Sequence, residues 1–536
     1  MAQAEGIGAD ASTQVVADAY DKVPYHSKPF AQSTPEQMAV MASLFGLKVP
    51  ALETARVLEL GCSSGGNLIP LAVRFPGMHC VGVDISKVEV AEGQEVLKEL
   101  GLKNCELKAL DITKAAGKLK GPFDYIICHG VFSWVPDAVR EAILNLVRDK
   151  LAPEGVAYIS YNVYPGWKMR EVVREMMLFH AGNIEDPVQR LQQARAMVEF
   201  TTRNSPEQTA YGKTLRDEAQ IVANADDYYV LHDHLEINNK PVYFREFAAM
   251  AGERKLGYLG EASVSDMAPQ RLGAEVAETL NRLSQGNILA TEQYMDFFTN
   301  RTFRQTLLVH EARMPSIKRA LNPEQMRGYA FATSMVQDTG FVPVEGQGPR
   351  ARYTDPFGRS LTAGSALSVA MVNALIAVKP YALGFAALAD RVGAALGLAP
   401  EQRGTLENLL GTELLNLVVQ NVVRLMHPLQ AAVPALAKPK VNPLARAQAR
   451  RGQNWVSSRF HQPAAMSPAH AVLLQLLDGS QDEAALRARV LQAFKAGTLS
   501  AQNNGAAITD ETALQALAAQ FTSQALTDFR NMGLLE

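Results

Sequence analysis

A chain of 536 residues exceeds what one ordinary hydrophobic core fills and implies two or three domains. With 47% hydrophobic and 20% charged residues the main body should fold, while a net charge of −3 and a pI near 6.4 give no global attraction to nucleic acid or anionic membrane. Signal-peptide features and apolar runs near 20 residues are absent, so the expectation is a cytoplasmic protein without membrane insertion.

In chain order, the first 18 or so residues, rich in Ala, Gly and polar groups, are expected to form a tail. Val57-Leu58-Glu59-Leu60-Gly61-Cys62-Ser63-Ser64-Gly65-Gly66 runs a buried strand into a Gly-rich turn, and a helix over 66–75 opens at the ligand. His79-Cys80-Val81-Gly82-Val83-Asp84 is a second buried strand that ends on a carboxylate. Cys105-Glu106-Leu107-Lys108-Ala109-Leu110-Asp111-Ile112 is a third, again closed by an acid. Phe123-Asp124-Tyr125-Ile126-Ile127-Cys128-His129-Gly130-Val131 reads as a fourth strand, and 150–159 as a helix end, turn and fifth strand. Apolar runs alternating with helical patterns over 55–163 give an α/β class with a Rossmann-like, doubly wound parallel sheet.

Tyr164-Pro165-Gly166 turns the chain into a helical insertion at about 168–225, where Val172, Val173, Met176 and Met177, then Val188, Leu191 and Val198, recur at helical spacing. Completion of the sheet is expected at 228–232 and 257–262, flanking a helix over 242–254. Residues 266–312 read as helical, with Val276, Leu280 and Leu283 on one stripe. The Gly/Pro-rich stretch 340–352 suggests a junction, and the remainder is Ala/Leu-rich and mainly helical, with a possible winged-helix unit around 366–423. One helix there is well marked, with Ser467 as cap, Pro468 at its first position and Leu473, Leu474 and Leu477 facing the core. The basic segment 438–451 reads as a solvated linker or helix face rather than a docking site.

The chemistry follows from the strand ends. Glycines at 61, 65 and 66 let the backbone approach a ligand, but their spacing departs from the dinucleotide G-x-G-x-x-G pattern. Glu59 at that turn would repel a pyrophosphate and attract an ammonium or sulfonium. Asp84 suits ribose hydroxyls. The four cysteines, all in apolar contexts, read as small buried hydrophobes, and no metal centre is expected; His232 and His234 read as a structural pair.

These ordered blocks, over 57–163, resemble the class I S-adenosylmethionine-dependent methyltransferases. The resemblance implies that Glu59, Gly61 and Gly65 surround the methionine part of the cofactor and that Asp84 binds the ribose. It puts Asp111 at the adenine amino group, with Ile85 and Ile112 beside the ring, and turns His129, Gly130 and Val131 toward the cofactor. Cys62, Asn67 and Ser86 belong to the same expected set. A second resemblance, through Asp226-Asp227-Tyr228-Tyr229-Val230-Leu231-His232-Asp233-His234-Leu235-Glu236, the following 239–247, 258–262 and 296–304, is to the methyltransferase regulatory domain. That bacterial group includes protein-lysine methyltransferases of outer-membrane proteins. Tyr25-His26-Ser27-Lys28-Pro29-Phe30 is similar to its N-terminal motif, so Tyr25 and His26 are expected over the cofactor.

The implied organisation is 1–30 as tail and cofactor lid, 31–265 as methyltransferase domain, 266–345 as a helical regulatory-type region and 346–536 as a helical C-terminal domain. The C-terminal helices are expected to bind a protein substrate or to pair subunits as a homodimer, and to be removable beyond about 345 without loss of cofactor binding. Acceptor candidates beyond strands four and five are Trp134, Tyr161, Asn162 and Tyr25, with Tyr164 nearby. Phe132 reads equally as core packing, and His129 equally as a strand-end hydrogen-bond partner. The implied reaction is in-line methyl transfer to protein lysine without a dedicated general base; a small-molecule methyltransferase and a cofactor-binding regulatory module without turnover stay open.

Overall fold

Five βα steps build most of a seven-stranded sheet in a computed structural model that describes residues 27–236, 238–342, 350–428, 437–503 and 506–536. The strands are β1 (Arg56–Leu60), β2 (His79–Asp84), β3 (Cys105–Ala109), β4 (Phe123–Cys128), β5 (Leu151–Asn162), β6 (Leu256–Glu261) and β7 (Phe303–His310). Their spatial order is β3-β2-β1-β4-β5-β7-β6. β1 to β5 pair in parallel, and β7 runs antiparallel between β5 and β6. Because β1 lies between β2 and β4, the order reverses beside it, and a crevice opens at the carboxyl ends of the strands.

The insertion forms as expected, in three helices, Gly166–Ala181, Pro187–Asn204 and Ala210–Asn224, around a core that includes Val173, Met177 and Leu191. Sheet completion differs from expectation. Residues 228–232 are helical, continuing from Asp227–Tyr229 into a π-helical turn, Val230–His234, whose Val230 joins the insertion's core. The missing strand is β7, inside the stretch read as helix, so the sheet runs past the expected boundary at 265. A buried arginine explains the misreading. Arg304 interrupts the apolar run, yet it sits 1% exposed inside the sheet because Glu261, Glu292 and Asp296 surround its guanidinium.

Alternating residues of β1 feed two cores, Val57 on one face of the sheet and Leu58 with Leu60 on the other. The first core continues without a break into Phe331, Tyr353, Leu388, Leu410 and Leu425. The C-terminal half is therefore not a detachable appendage. Three helices, Ala366–Ile376, Phe385–Ala395 and Arg403–Val419, stand beside a small sheet ordered Leu383–Gly384, Ala330–Ala332 and Arg424–Met426. The last unit has its own core, and Ser467 caps its helix Pro468–Gln475 as read from sequence. Part of the basic segment docks instead of facing only solvent: Arg450 and Arg451 grip Glu99 at 2.8 and 3.0 Å. Residues 343–349 of the expected junction lie outside the described residues. Among the described residues no helix is long and apolar enough to cross a membrane. All four cysteines are free thiols, three buried and Cys105 partly so.

Candidate active site

The carboxyl ends of β1, β2, β4 and β5 open on a cavity of about 520 Å³. Two glycines make its floor possible. Gly61 has φ 76°, and a Cβ there would stand 2.3 Å from Val131 Cγ2. Gly66 lies under the N-terminal segment, where a Cβ would meet the Ser27 carbonyl oxygen at 2.0 Å, and its N–H donates to Ser27 Oγ at 2.9 Å. Ser27 and Phe30 thus line the cavity, as the N-terminal motif implied; Tyr25 and His26 lie outside the described residues.

Three acids from consecutive strand ends face this space. Asp84 is held by two backbone amides, Oδ2 accepting from Ser63 N at 2.8 Å and Oδ1 from Ser86 N at 2.9 Å. Asp111 accepts from the Thr113 N–H at 2.8 Å and from its hydroxyl at 2.7 Å. Glu59 is only 3% exposed, and its Oε1 accepts from Asn67 Nδ2 at 2.7 Å. Its other oxygen, Oε2, is buried without a hydrogen-bond partner among the described residues. An acceptor left bare in a dry cavity is costly unless a ligand cation or donor meets it. S-adenosylmethionine carries both an ammonium and a sulfonium, so Glu59, Asp84 and Asp111 fit this cofactor from its methionine end to its adenine.

Burial pushes the Glu59 carboxyl up to about 8, against the Asn67 hydrogen bond and with help from the Asp84 charge. In the ligand-free protein it is mostly protonated at neutral pH, and a cation at Oε2 would favour the carboxylate. Cofactor binding at neutral pH should therefore release close to one proton, and affinity should rise by up to about tenfold per pH unit on approach to 8. Calorimetry in buffers of different ionisation enthalpy counts that proton; a count of zero would remove Glu59 as counter-ion. The same shift makes the ligand-free fold lose stability as pH rises from 4.5 through about 8.

Of the other expected cofactor residues, Cys62, Asn67, Ile85, Ile112, His129, Gly130 and Val131 line the cavity. Gly65 and Ser86 shape it from behind: Gly65 turns the chain at φ 79°, and Ser86 caps the helix Lys87–Leu100. His129 is held near neutral charge by burial, its pKa lowered to about 4, and shares a hydrogen bond with Tyr158 at 2.9 Å.

Of the residues expected around the methyl acceptor, Trp134 and Asn162 line the cavity. Tyr161 does not. It stacks on Phe247 at 4.0 Å and bonds Thr306 at 2.9 Å inside the core, because neighbours on a strand point to opposite faces. Phe132 joins it in that core, and Tyr164 bonds Glu171 instead. Sequence reasoning missed Trp167, Arg170, Tyr229, Asp233, Thr302 and Phe303, all in the wall. They come from the insertion, the helical run 227–234 and the entry to β7, segments with no strand-end signature. Trp167 is 1% exposed, packs edge-on against Trp134 at 6.0 Å, and its Nε1 has no partner among the described residues. Tyr229 hydrogen-bonds Asp233, whose carboxyl burial raises to about 6.

Comparison with known proteins agrees with this geometry. Residues 52–222 match a methyltransferase domain, 226–310 a predicted methyltransferase regulatory domain and 437–534 the PKMT C-terminal winged helix domain. The winged-helix match thus falls after the stretch 366–423 in which such a unit was expected. An uncharacterized protein of Rickettsia prowazekii is 34% identical over 516 residues, covering 93% of this chain and 90% of that one. The structure of PKMT2 from Rickettsia typhi in complex with AdoHcy superposes with a TM-score of 0.84 at 30% identity, covering 96% of this chain and 100% of that one. A second structure of the same protein gives 0.83 at 29%, covering 95% and 100%. The chain belongs to the S-adenosylmethionine-dependent methyltransferases that join a class I domain to a methyltransferase regulatory domain and a PKMT-type winged helix.

Proposed function

We propose that this methyltransferase acts on lysine side chains of proteins, by in-line displacement without a dedicated general base. One observation carries the reading: the cavity that holds the three acids continues into a wall of Trp134, Trp167, Tyr229 and Phe303 with a half-buried acid, Asp233. When bound, S-adenosylmethionine supplies an activated methyl group on sulfur. Glu59, Asp84 and Asp111 would hold its charged and hydroxylated parts. The aromatic faces would attract an arriving alkyl ammonium by about 0.5–2 kcal/mol, and Asp233 would give it a counter-charge. Burial between Trp134 and Trp167 then favours the neutral amine that methyl transfer needs. His129 is kept neutral by burial, and Arg170, in the same wall over the Trp167 ring, is the cation with which an arriving ammonium would compete for Asp233. Similarity to PKMT2 supports a protein acceptor, and proteins of the cell envelope are the class we propose.

Incubation with labelled S-adenosylmethionine and cell-envelope protein should yield methyl-lysine on mass spectrometry, and the Asp84→Ala variant should yield none. Methylated small molecules with unmodified protein would overturn the reading. Trp134→Ala should raise KM for the protein acceptor by about tenfold while S-adenosylhomocysteine affinity stays within about twofold, as loss of a cation–π wall predicts.

A further inference from the structure

His461 sits 394 residues from Asn67 in sequence, yet its Nε2 lies 2.7 Å from Asn67 Oδ1. It occupies the tip of a hairpin formed by Trp455–Ser457 and Pro463–Ala465, at φ 56° and with no exposure. A left-handed, fully buried histidine is an unfavourable choice for a hairpin tip, so something else holds it there.

The direction of the hydrogen bonds at Asn67 can be worked out. The Phe30 N–H, which can only donate, points at Oδ1 from 2.9 Å. Oδ1 is therefore the carbonyl oxygen, and Nδ2 faces Glu59 Oε1 at 2.7 Å and Ser33 Oγ at 3.2 Å. His461 must then donate from Nε2 as the neutral tautomer, which leaves Nδ1 as a buried acceptor with no partner among the described residues. Burial and the nearby Arg74 hold its pKa well below the usual histidine range, in keeping with that state. Asn67 thereby accepts at Oδ1 from the C-terminal hairpin and donates from Nδ2 to the Glu59 carboxyl group, whose second oxygen awaits the cofactor.

The seam around this contact is specific. Arg74, at the end of the helix that follows the Gly-rich turn, donates to the Arg459 carbonyl at 2.7 Å. Glu99 is gripped by Arg450 and Arg451. Docking of the last domain is thus held at the far ends of the two helices that start at the cavity, as well as at Asn67.

We propose that the C-terminal winged-helix domain completes the cofactor site, with His461 as a positioning residue that acts through Asn67 on Glu59. Removing the His461 donor frees the Asn67 amide to turn and weakens its hold on Glu59 Oε1, so the free oxygen is no longer aimed at the ligand. Docking and cofactor binding then favour each other, and the coupling is reciprocal.

The test is S-adenosylhomocysteine binding by the full-length chain, which does not depend on the identity of the methyl acceptor. His461→Phe keeps the ring volume and loses the donor; its Kd should rise about tenfold, the worth of one buried hydrogen bond. His461→Gln, which can donate from the same reach, should restore Kd to within about threefold. In the unaltered protein, S-adenosylhomocysteine should slow hydrogen exchange across 455–465, although that hairpin does not line the cavity. That measurement needs no variant and decides the matter if His461→Phe fails to fold. Unchanged Kd in a folded His461→Phe, equal loss in the Phe and Gln variants, or unaltered exchange at the hairpin overturns the proposal.

Discussion

Asp84→Ala should weaken S-adenosylhomocysteine binding by more than about a hundredfold, the largest loss expected at any cavity residue. The carboxylate has two tasks. It accepts from Ser63 N at 2.8 Å and Ser86 N at 2.9 Å, which ties the Gly-rich turn to the start of the next helix, and it faces the space where ribose hydroxyls fit. Hydrogen bonds to a charged group contribute about 1.5–3 kcal/mol each, so losing the ligand's share together with the turn's anchor amounts to about 3 kcal/mol or more. Asp84→Asn retains one oxygen and should lose only about tenfold. Calorimetry with both variants separates the tasks: near-native affinity in a folded Asp84→Ala protein would exclude the ribose role.

The second large effect is on stability. Arg304→Met should cost about 3–5 kcal/mol, because it leaves a group of buried carboxylates facing one another. Arg304 Nη1 lies 2.7 Å from Glu261 Oε1, and Nη2 lies 2.8 Å from Asp296 Oδ1 and 3.0 Å from Glu292 Oε2. The guanidinium also covers the Phe244 ring at 4.0 Å. Arg301 lies 3.2 Å from Asp296 and cannot reach Glu261 in Arg304's place without leaving that partner, and Arg319 is held at the Tyr258 and Leu259 carbonyls. Denaturant melts of the variant should show the loss directly. A cost below about 1 kcal/mol would mean that the carboxylates simply take up protons, with Arg304 dispensable to the sheet.

Glu59, Asp84 and Asp111 were legible because strand, turn and helix succeed one another locally, and residues within two positions of a strand's carboxyl end stand at the crevice. Gly61 was legible as a turn glycine for the same reason, but its close approach to Val131, beyond the end of β4, was not. Tyr161 and Asn162 show a finer limit. Adjacent strand residues cannot both reach one cavity, and the pairing of Tyr161 with Arg304 and of Asn162 with Phe303 on β7 decides which faces where. β7 itself was obscured by Arg304, a residue that looks solvent-directed until Glu261, Glu292 and Asp296 are seen around it. The tyrosine-rich run 228–232 has strand composition, but Val230 finds its burial against the insertion's helices and the backbone follows.

The chain's own order of residues was enough to determine the Rossmann-like class and the methyltransferase family, and it pointed to the acids that meet at the crevice, since each depends on contacts within a few residues or on motifs that recur as blocks. Tertiary structure alone decided the cavity wall of Trp167, Tyr229, Asp233 and Phe303, the burial of Arg304, and the approach of His461 to Asn67. Those contacts join segments up to 394 residues apart, and which surfaces meet is set by the packing of a shared apolar core that local periodicity does not encode.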